Sequence, residues 1–420
     1  TLTAPTGTGK TLALLHFALR HCLKNSKSRI IVVLPFLTLA EQNTATYEKI
    51  IPDIFIDHSQ SNIGDDAREF ASRWSVPFII TTSVKFFESL FADRPTDCRK
   101  LHHIADSVIL FDEAQSLPTE VTETTLEAVN ELCRTYHCTM VFSSATQPDF
   151  DAIANVDWKP REIMPDNSRL FAALKRTHVE WRLKKPIPFE EIAGEMAALP
   201  SVCAIVNLRK HAGKLFCQLK ELCPQEELFF ITTDLCMAHR RIVVAEITRR
   251  IKAGLPCRVV ATQCIEAGVD LDFDVMYRAL APLDAIIQAA GRCNRNGRLT
   301  GGGRVIVFEP DEEGRLYPGS PGSKLGNWYE NAAVLVKRLC ARQPLNIDSP
   351  QHMKEYYQQL FAGQSDKEAL RRALEREDFA ETAKEYELIA NKGMKVIVPI
   401  PREVSEKENE AYQEMRKEAL

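Results

Sequence analysis

Two stretches of this chain alternate short apolar runs with amphipathic helical patterns, and few architectures accept that alternation. In the first stretch, residues 29–34, 77–82, 107–111 and 139–143 are runs rich in β-branched and aromatic side chains. In the second, residues 202–206, 228–231, 258–262 and 304–308 repeat the theme. A run that is apolar on both faces belongs to a strand covered on both faces, the condition of a parallel sheet wrapped by helices. The helical patterns at 210–222 and 239–253 supply such wrapping. The pattern therefore predicts an α/β fold built from duplicated parallel-sheet lobes. Residues 147–188 contain prolines and few strand or helix signals, so the boundary between lobes is expected there. Beyond about Pro310 the chain becomes mostly helical and highly charged, as in 366–386, with one late strand at 394–399. The expected limits are 1–167 for the first lobe, 168–312 for the second and 313–420 for a helical extension.

A length of 420 residues exceeds that at which one hydrophobic core stops growing, which agrees with more than one domain. Hydrophobic residues make up 45% and charged residues 26%, as in ordinary globular proteins. The most apolar run, 30–40, is too short to cross a bilayer and is interrupted by Pro35, so no membrane association is expected. Thr1 to Pro5 carry neither a basic stretch nor an apolar signal region, and a cytoplasmic location is the default. The 12 cysteines form no C-x-x-C pair, and even Cys133 and Cys138 lack a second pair at zinc-finger spacing. They read as reduced small hydrophobes. A net charge of −4 does not exclude a nucleic-acid partner, because a strand held in a cleft needs local donors rather than a basic total.

The sharpest motif opens the chain. Ala4-Pro5-Thr6-Gly7-Thr8-Gly9-Lys10-Thr11 precedes a helical run at 12–22 and resembles a Walker A phosphate loop, with Ala4 where the strict pattern has glycine. Gly7 and Gly9 allow backbone N–H groups, with those of Thr6 and Thr8, to turn around a phosphate at the positive end of the following helix. Lys10 would reach the β and γ phosphates of ATP, and the Thr11 hydroxyl would ligate Mg2+. A plain Gly/Thr turn before a helix has no need of the lysine.

After the apolar run ending at Phe111 comes Asp112-Glu113-Ala114-Gln115. A carboxylate at a strand end beside the phosphate loop can hold magnesium, and its neighbour can activate the attacking water. Without the preceding strand, such an acid pair would read as a solvated loop. Ser144-Ala145-Thr146 follows another strand and reaches the same edge, although the tripeptide alone is uninformative.

Far downstream, Gln288-Ala289-Ala290-Gly291-Arg292-Cys293-Asn294-Arg295-Asn296-Gly297 places two arginines three residues apart, on one face if the segment is helical. Arginine forks onto phosphate oxygens and supplies positive charge as a γ-phosphoryl group leaves. Before it, the string from Ala261 through Thr262, Gly268 and Asp270 to Asp272 combines a strand with a loop bearing a hydroxyl, a glycine and acids. Such a loop is suited to touching both nucleotide and strand.

The ordered set resembles the motifs of superfamily-two helicases over roughly residues 1–308. Within them it is most similar to the CRISPR-associated helicase of type I systems, usually part of a helicase–nuclease. The narrower likeness lies in the strings 290–297, 262–274 and 235–240, and in 386–389 with 396–399. The resemblance implies two tandem RecA-like lobes, ATP and Mg2+ as cofactors, and ATP-driven translocation on single-stranded DNA in CRISPR interference against foreign DNA. It implies recruitment by an RNA-guided surveillance complex and an HD nuclease domain in cis or in trans.

Position by position, it assigns Asp112 to the metal, Glu113 to the catalytic base, and Gln288, Arg292 and Arg295 to the phosphates. Asp270 becomes a nucleotide-sensing acid. Pro35, Phe36, Thr81, Thr82, Asn207 and Thr262 fall where such proteins touch the strand, and Ser144 and Thr146 where hydrolysis couples to movement. The residues present carry no His-Asp pair of the nuclease kind, so no nuclease domain is expected within them. Leu101-His102-His103-Ile104 reads as a helix end. The chain reads as a motor cut at both ends, lacking the usual first-lobe elements that read adenine. The same motor motifs serve other superfamily-two DNA or RNA helicases, and a non-hydrolysing nucleic-acid clamp is the reading from another class.

Overall fold

The computed structural model describes residues 1–35, 37–57, 73–117, 119–153, 156–266, 268–311, 326–362 and 365–388. The chain forms two compact units, the first built from Thr1–Leu174 with Ile347–Ala390 and the second from Lys175–Asn346.

The first unit is organised on strands β1 (Leu2–Thr3), β2 (Arg29–Leu34), β3 (Phe55–Asp57), β4 (Phe78–Thr82), β5 (Ser107–Asp112) and β6 (Thr139–Ser144). Their order is β1-β6-β5-β2-β4-β3, and every neighbouring pair is parallel. Alternate residues serve opposite faces. Ile30, Val32 and Leu34 join Phe78, Ile80, Val108 and Leu110 beneath Leu14, Leu15 and Ala18 of the helix Lys10–Asn25. Phe111 and Phe142 belong instead to an edge-to-face aromatic series with Phe87, Phe150 and Trp158. Burying both faces is what the unbroken apolar runs required.

The second unit repeats the plan with β7 (Thr177–Ile187), β8 (Ser201–Ile205), β9 (Leu228–Ile231), β10 (Cys257–Ala261), β11 (Val275–Ala279) and β12 (Gly303–Pro310). The order is β7-β12-β11-β8-β10-β9, again parallel throughout. The expected fold class, tandem RecA-like parallel-sheet lobes with helices after them, is the one observed. All twelve cysteines are free thiols. Among the described residues no helix is long and apolar enough to cross a membrane.

Three features depart from the sequence reading. The stretch 147–188 holds the helix Asn167–Ala173 and the 11-residue strand β7. β7 lies at the sheet edge, with His178, Glu180, Lys184 and Lys185 at its exposed or half-exposed positions, so charge masked its strand character. Contacts divide the chain after Leu174, not at 167. The helical part after 313 is also no separate body: the helix Gly326–Arg342 belongs to the second unit, and the helices Pro350–Phe361, Glu368–Glu375 and Phe379–Glu385 belong to the first. The strand expected at 394–399 lies outside the described residues.

Specific contacts explain why the last helices join the first unit. The buried Asp366 carboxylate accepts from the backbone N–H groups of Glu123 (2.9 Å) and Thr124 (2.6 Å), capping the helix Thr122–Arg134 from more than two hundred residues away. The Tyr386 hydroxyl lies 2.7 Å from that of Thr125, its ring packs 4.0 Å from Phe91, and Phe361 packs on Phe150. Asp366→Ala should therefore cost the first unit about 0.5–2 kcal/mol, the range for losing a helix cap. Urea denaturation followed by hydrogen exchange within 122–134 checks this, with lost protection expected in that helix.

Candidate nucleotide site and arginine turn

The parallel topology of the first unit sends the carboxyl ends of β1, β2, β4, β5 and β6 to one edge, where ligands sit in open α/β sheets. The phosphate-loop string leaves β1 at this edge. The Ala4 N–H donates to the Ser144 carbonyl (3.1 Å), and the Thr8 hydroxyl donates to that of Pro5 (2.9 Å), closing the loop. Gly7 and Gly9 have φ of 79° and 78°, and a Cβ at Gly9 would meet nothing within 4 Å. Left-handed backbone with open space beside it leaves room for a ligand to approach the main chain. Thr6 is half-buried in the same loop.

Lys10 starts the helix, and its ammonium nitrogen is buried without a hydrogen-bond partner among the described residues. Such an orphan donor is rare in a folded protein and marks a place where an acceptor belongs. The Thr11 hydroxyl donates to Asn43 Oδ1 (3.3 Å), and Tyr47 donates to the Thr11 carbonyl (3.4 Å).

Asp112, the last residue of β5, is buried. Burial and then the neighbouring Glu113 charge push its carboxyl above the usual range, while Lys10 pulls it back. Glu113 sits in left-handed backbone (φ 57°), uncommon for a residue with a side chain, at the turn where a strand end exposes a loop to ligand. From it runs a chain of hydrogen bonds. Gln115 Nε2 donates to Glu113 Oε2 (2.6 Å), the Ser144 hydroxyl donates to Gln115 Oε1, and the Thr146 N–H donates to Ser144 Oγ (2.8 Å). Gln115, Ser144 and Thr146 are buried, so the two loops move as one piece. Gln115 stands in the Asp-Glu-Ala-Gln string with no role evident from sequence; its amide can donate to one loop and accept from the other.

In the second unit the helix Leu283–Ala290 carries Gln288 and ends before either arginine. Arg292 and Arg295 therefore do not share a helix face; they lie on the turn that follows, with Asn294 (φ 46°) and Gly297 (φ 66°) in left-handed backbone. The Arg292 guanidinium donates to the Glu266 carbonyl (2.7 Å), and Arg295 Nε pairs with Asp270 (2.8 Å).

Behind the turn lies a buried polar network that the sequence did not disclose. Arg278 of β11 is 0% exposed and pairs with Glu266 (2.7 Å). It also donates to Asn207 Oδ1 (2.7 Å) and to the Tyr329 hydroxyl (3.1 Å), and Tyr329 donates to Asn207 Oδ1 (2.9 Å). Burial pushes the Glu266 carboxyl up to about 7 despite the Arg278 charge. The available signal was an arginine inside an otherwise apolar strand, a placement that demands a buried partner.

The expected strand contacts fare differently. Asn207 is 4% exposed, and its amide also donates to the Leu280 carbonyl (2.8 Å), so the structure makes it part of the internal scaffold. Thr81 and Thr262 are buried, as is Pro35. The Thr81 hydroxyl donates to the Asp57 carbonyl, and the Thr82 hydroxyl accepts the Lys85 N–H at the start of the helix Ser83–Leu90. Packing and capping claim these side chains, leaving the main chain at the sheet edge. Phe36 lies outside the described residues. Leu101–Ile104 forms a short helix, as its sequence suggested.

Two parallel-sheet lobes, one bearing a glycine turn with a lysine and an acid pair and the other an arginine turn, define the class of tandem RecA-like folds. Comparison with known proteins refines the class. Residues 1–153 match the model of the DEAD/DEAH box helicases, and residues 200–298 match that of the CRISPR-associated nuclease/helicase Cas3, C-terminal. The chain is 25% identical over 449 aligned positions to the CRISPR-associated nuclease/helicase Cas3 of Haloferax volcanii, covering 76% of this chain and 47% of that protein. It is 26% identical to the putative Cas3 of Methanocaldococcus jannaschii, covering 71% and 44%. The crystal structure of T. fusca Cas3 superposes with a TM-score of 0.67 at 19% identity, covering 91% of this chain and 52% of the other. The chain is thus similar to the helicase region of CRISPR-associated nuclease/helicase Cas3 proteins. It spans about half the length of the curated relatives it matches.

The Glu266 carboxyl gives a pH test of the buried network. Its native value of about 7 exceeds the ordinary 4.5, so the folded state binds a proton the unfolded state has released between those limits. Its contribution to stability is therefore complete below the lower limit and falls as pH rises toward the upper, by on the order of 3 kcal/mol. Glu266→Gln removes this slope. Urea-denaturation curves of both proteins from about pH 5 to 7.5 should show the original chain losing stability relative to the variant as pH rises.

Proposed function

We propose that this chain is an ATP-hydrolysing motor that translocates on single-stranded DNA in CRISPR interference. The observation that carries the reading is the buried Lys10 ammonium, without a hydrogen-bond partner among the described residues, at the head of a helix and beside a glycine turn. A triphosphate would supply the missing acceptors.

The site residues fit magnesium as well: a threonine hydroxyl and a carboxylate are the oxygen donors it prefers. Thr11 and Asp112 would hold the ion, and its charge would favour the ionised form of Asp112 against burial. When bound, it neutralises charge on the β and γ phosphates. Glu113 then orients the attacking water and takes its proton. By the resemblance, Gln288, Arg292 and Arg295 are the residues assigned to the phosphates, and Asp270 is the nucleotide-sensing acid. Ser144 and Thr146, joined to Glu113 through Gln115, carry the state of the hydrolytic centre to the neighbouring strand end. Because the Thr81, Thr82 and Thr262 side chains face inward, contact with DNA at these positions falls to backbone groups, which suits recognition of a phosphate backbone over sequence. An RNA-guided surveillance complex as recruiter, and an HD nuclease domain in cis or in trans, complete the proposal on the strength of the family alone.

ATPase assays with single-stranded DNA test the reading. Lys10→Ala should abolish activity, and Arg295→Ala should lower kcat by about 10³-fold or more, as for an arginine supplied to a leaving γ-phosphoryl group. Near-normal rates in both would overturn the motor. Competition between DNA and RNA for stimulation decides the strand, with DNA expected to win.

A further inference from the structure

We infer that Asp272 is a positioning residue that holds the arginine turn in the geometry required for phosphate contact; this rests on the reading of Arg295 given above. Asp272 stands two residues after Asp270, follows β10 and the loop beyond it, and is 5% exposed. One oxygen accepts the Arg295 backbone N–H at 2.7 Å. The other accepts from the Asn296 N–H (3.3 Å), the Asn296 side-chain amide (3.0 Å) and Arg298 Nε (3.2 Å). Arg298 also donates to the Asp272 carbonyl (3.2 Å) and lies 3.7 Å from Asp274.

A carboxylate that gathers its donors from one short turn fixes the path of that turn, because each bond to an ionised acceptor is stronger than a neutral one. The turn has no helix to stiffen it, since helical structure ends at Ala290. Other contacts also hold it, among them the Asn294 side-chain amide donating to the Arg176 carbonyl (3.1 Å). The Phe273 N–H donates to the Arg292 carbonyl (2.9 Å), the Asn294 N–H donates to the Phe273 carbonyl (2.8 Å), and Gly303 lies so close that a Cβ there would meet Cys293 Sγ at 2.5 Å. These brace Arg292 to Asn294. Asp272 takes over from Arg295 onward, where Arg176 also donates to the Arg295 carbonyl, and it is bonded to the main chain of the arginine whose guanidinium pairs with Asp270. Asp270 holds the tip of Arg295 and must release it, whereas Asp272 holds its root and need not.

The distinction gives different kinetic signatures. Loss of the root contact should leave nucleotide binding intact and lower the chemical step, because misplacement of a reacting group by about 1 Å can cost on the order of 100-fold. Asp272→Asn in the full chain should therefore lower the DNA-stimulated kcat by on the order of 10- to 100-fold, with little change in KM for ATP or in affinity for a fluorescent ATP analogue. Combined with Arg295→Ala, it should add less than about twofold, since residues acting as a unit are not additive. Normal kcat in Asp272→Asn overturns the inference, and so does a loss that multiplies with that of Arg295→Ala. Should Asp272→Asn fail to fold, Arg298→Ala removes one donor and leaves the backbone contacts in place. A smaller kcat loss, absent in the Arg295→Ala background, is then expected, and an unchanged kcat overturns the proposal. If Arg295→Ala is itself fully active, the motor reading fails rather than the geometry of the turn.

Discussion

Parallel pairing of every strand in both sheets is the constraint on which the other features depend. Because all strands of a lobe run the same way, the polar residues that follow them arrive at one edge, however distant they are in sequence. In the first lobe this brings together the loop after β1, Asp112 and Glu113 at the end of β5, and Ser144 at the end of β6. The apolar runs inside the strands make the sheet possible by burying both faces, and the residues just past their ends are then free to do chemistry.

Charge is managed differently at the two arginine- and lysine-bearing edges. The first lobe keeps the Lys10 ammonium buried without a hydrogen-bond partner among the described residues, a rare state in a folded protein. The second lobe pairs these guanidiniums internally: Arg295 on Asp270, Arg298 on Asp272, and Arg278 on Glu266, Asn207 and Tyr329. A fully buried ion pair such as Arg278–Glu266 is poor evidence of stability, since desolvation offsets most of the attraction. Its value here is geometric. It fixes Glu266, whose carbonyl holds Arg292, and ties the helix Gly326–Arg342 to the sheet through Tyr329.

Legibility of the fold tracked burial. Residues 29–34 coincide with their strand because both of its faces are covered, and 228–231 coincide with theirs because the run is wholly apolar. β7 escaped notice because it is an edge strand whose outward residues are charged, and β11 because Arg278 interrupts its apolar run. The arginine spacing suggested a helix face, yet a glycine at 291 and a left-handed Asn294 turn the chain away from helix while still bringing the two side chains to one loop. Asn207 and Thr81 sit at motif positions, but their side chains satisfy internal hydrogen bonds; a motif records a place at the sheet edge and says nothing of which way a side chain turns.

By itself the sequence determined what is encoded locally: the parallel-sheet lobes through period and composition, the phosphate loop through its glycines and lysine, and the acid pair through its place after an apolar run. Only the tertiary structure decided which distant groups share a contact. Asp366 capping a helix near residue 122, Gln115 bridging Glu113 to Ser144, Asp272 gathering the arginine turn and Arg278 finding Glu266 all join residues whose separation along the chain carries no period. Such partnerships arise from the packing of elements already formed, and hydrogen-bond geometry then selects among groups that sequence leaves equally plausible.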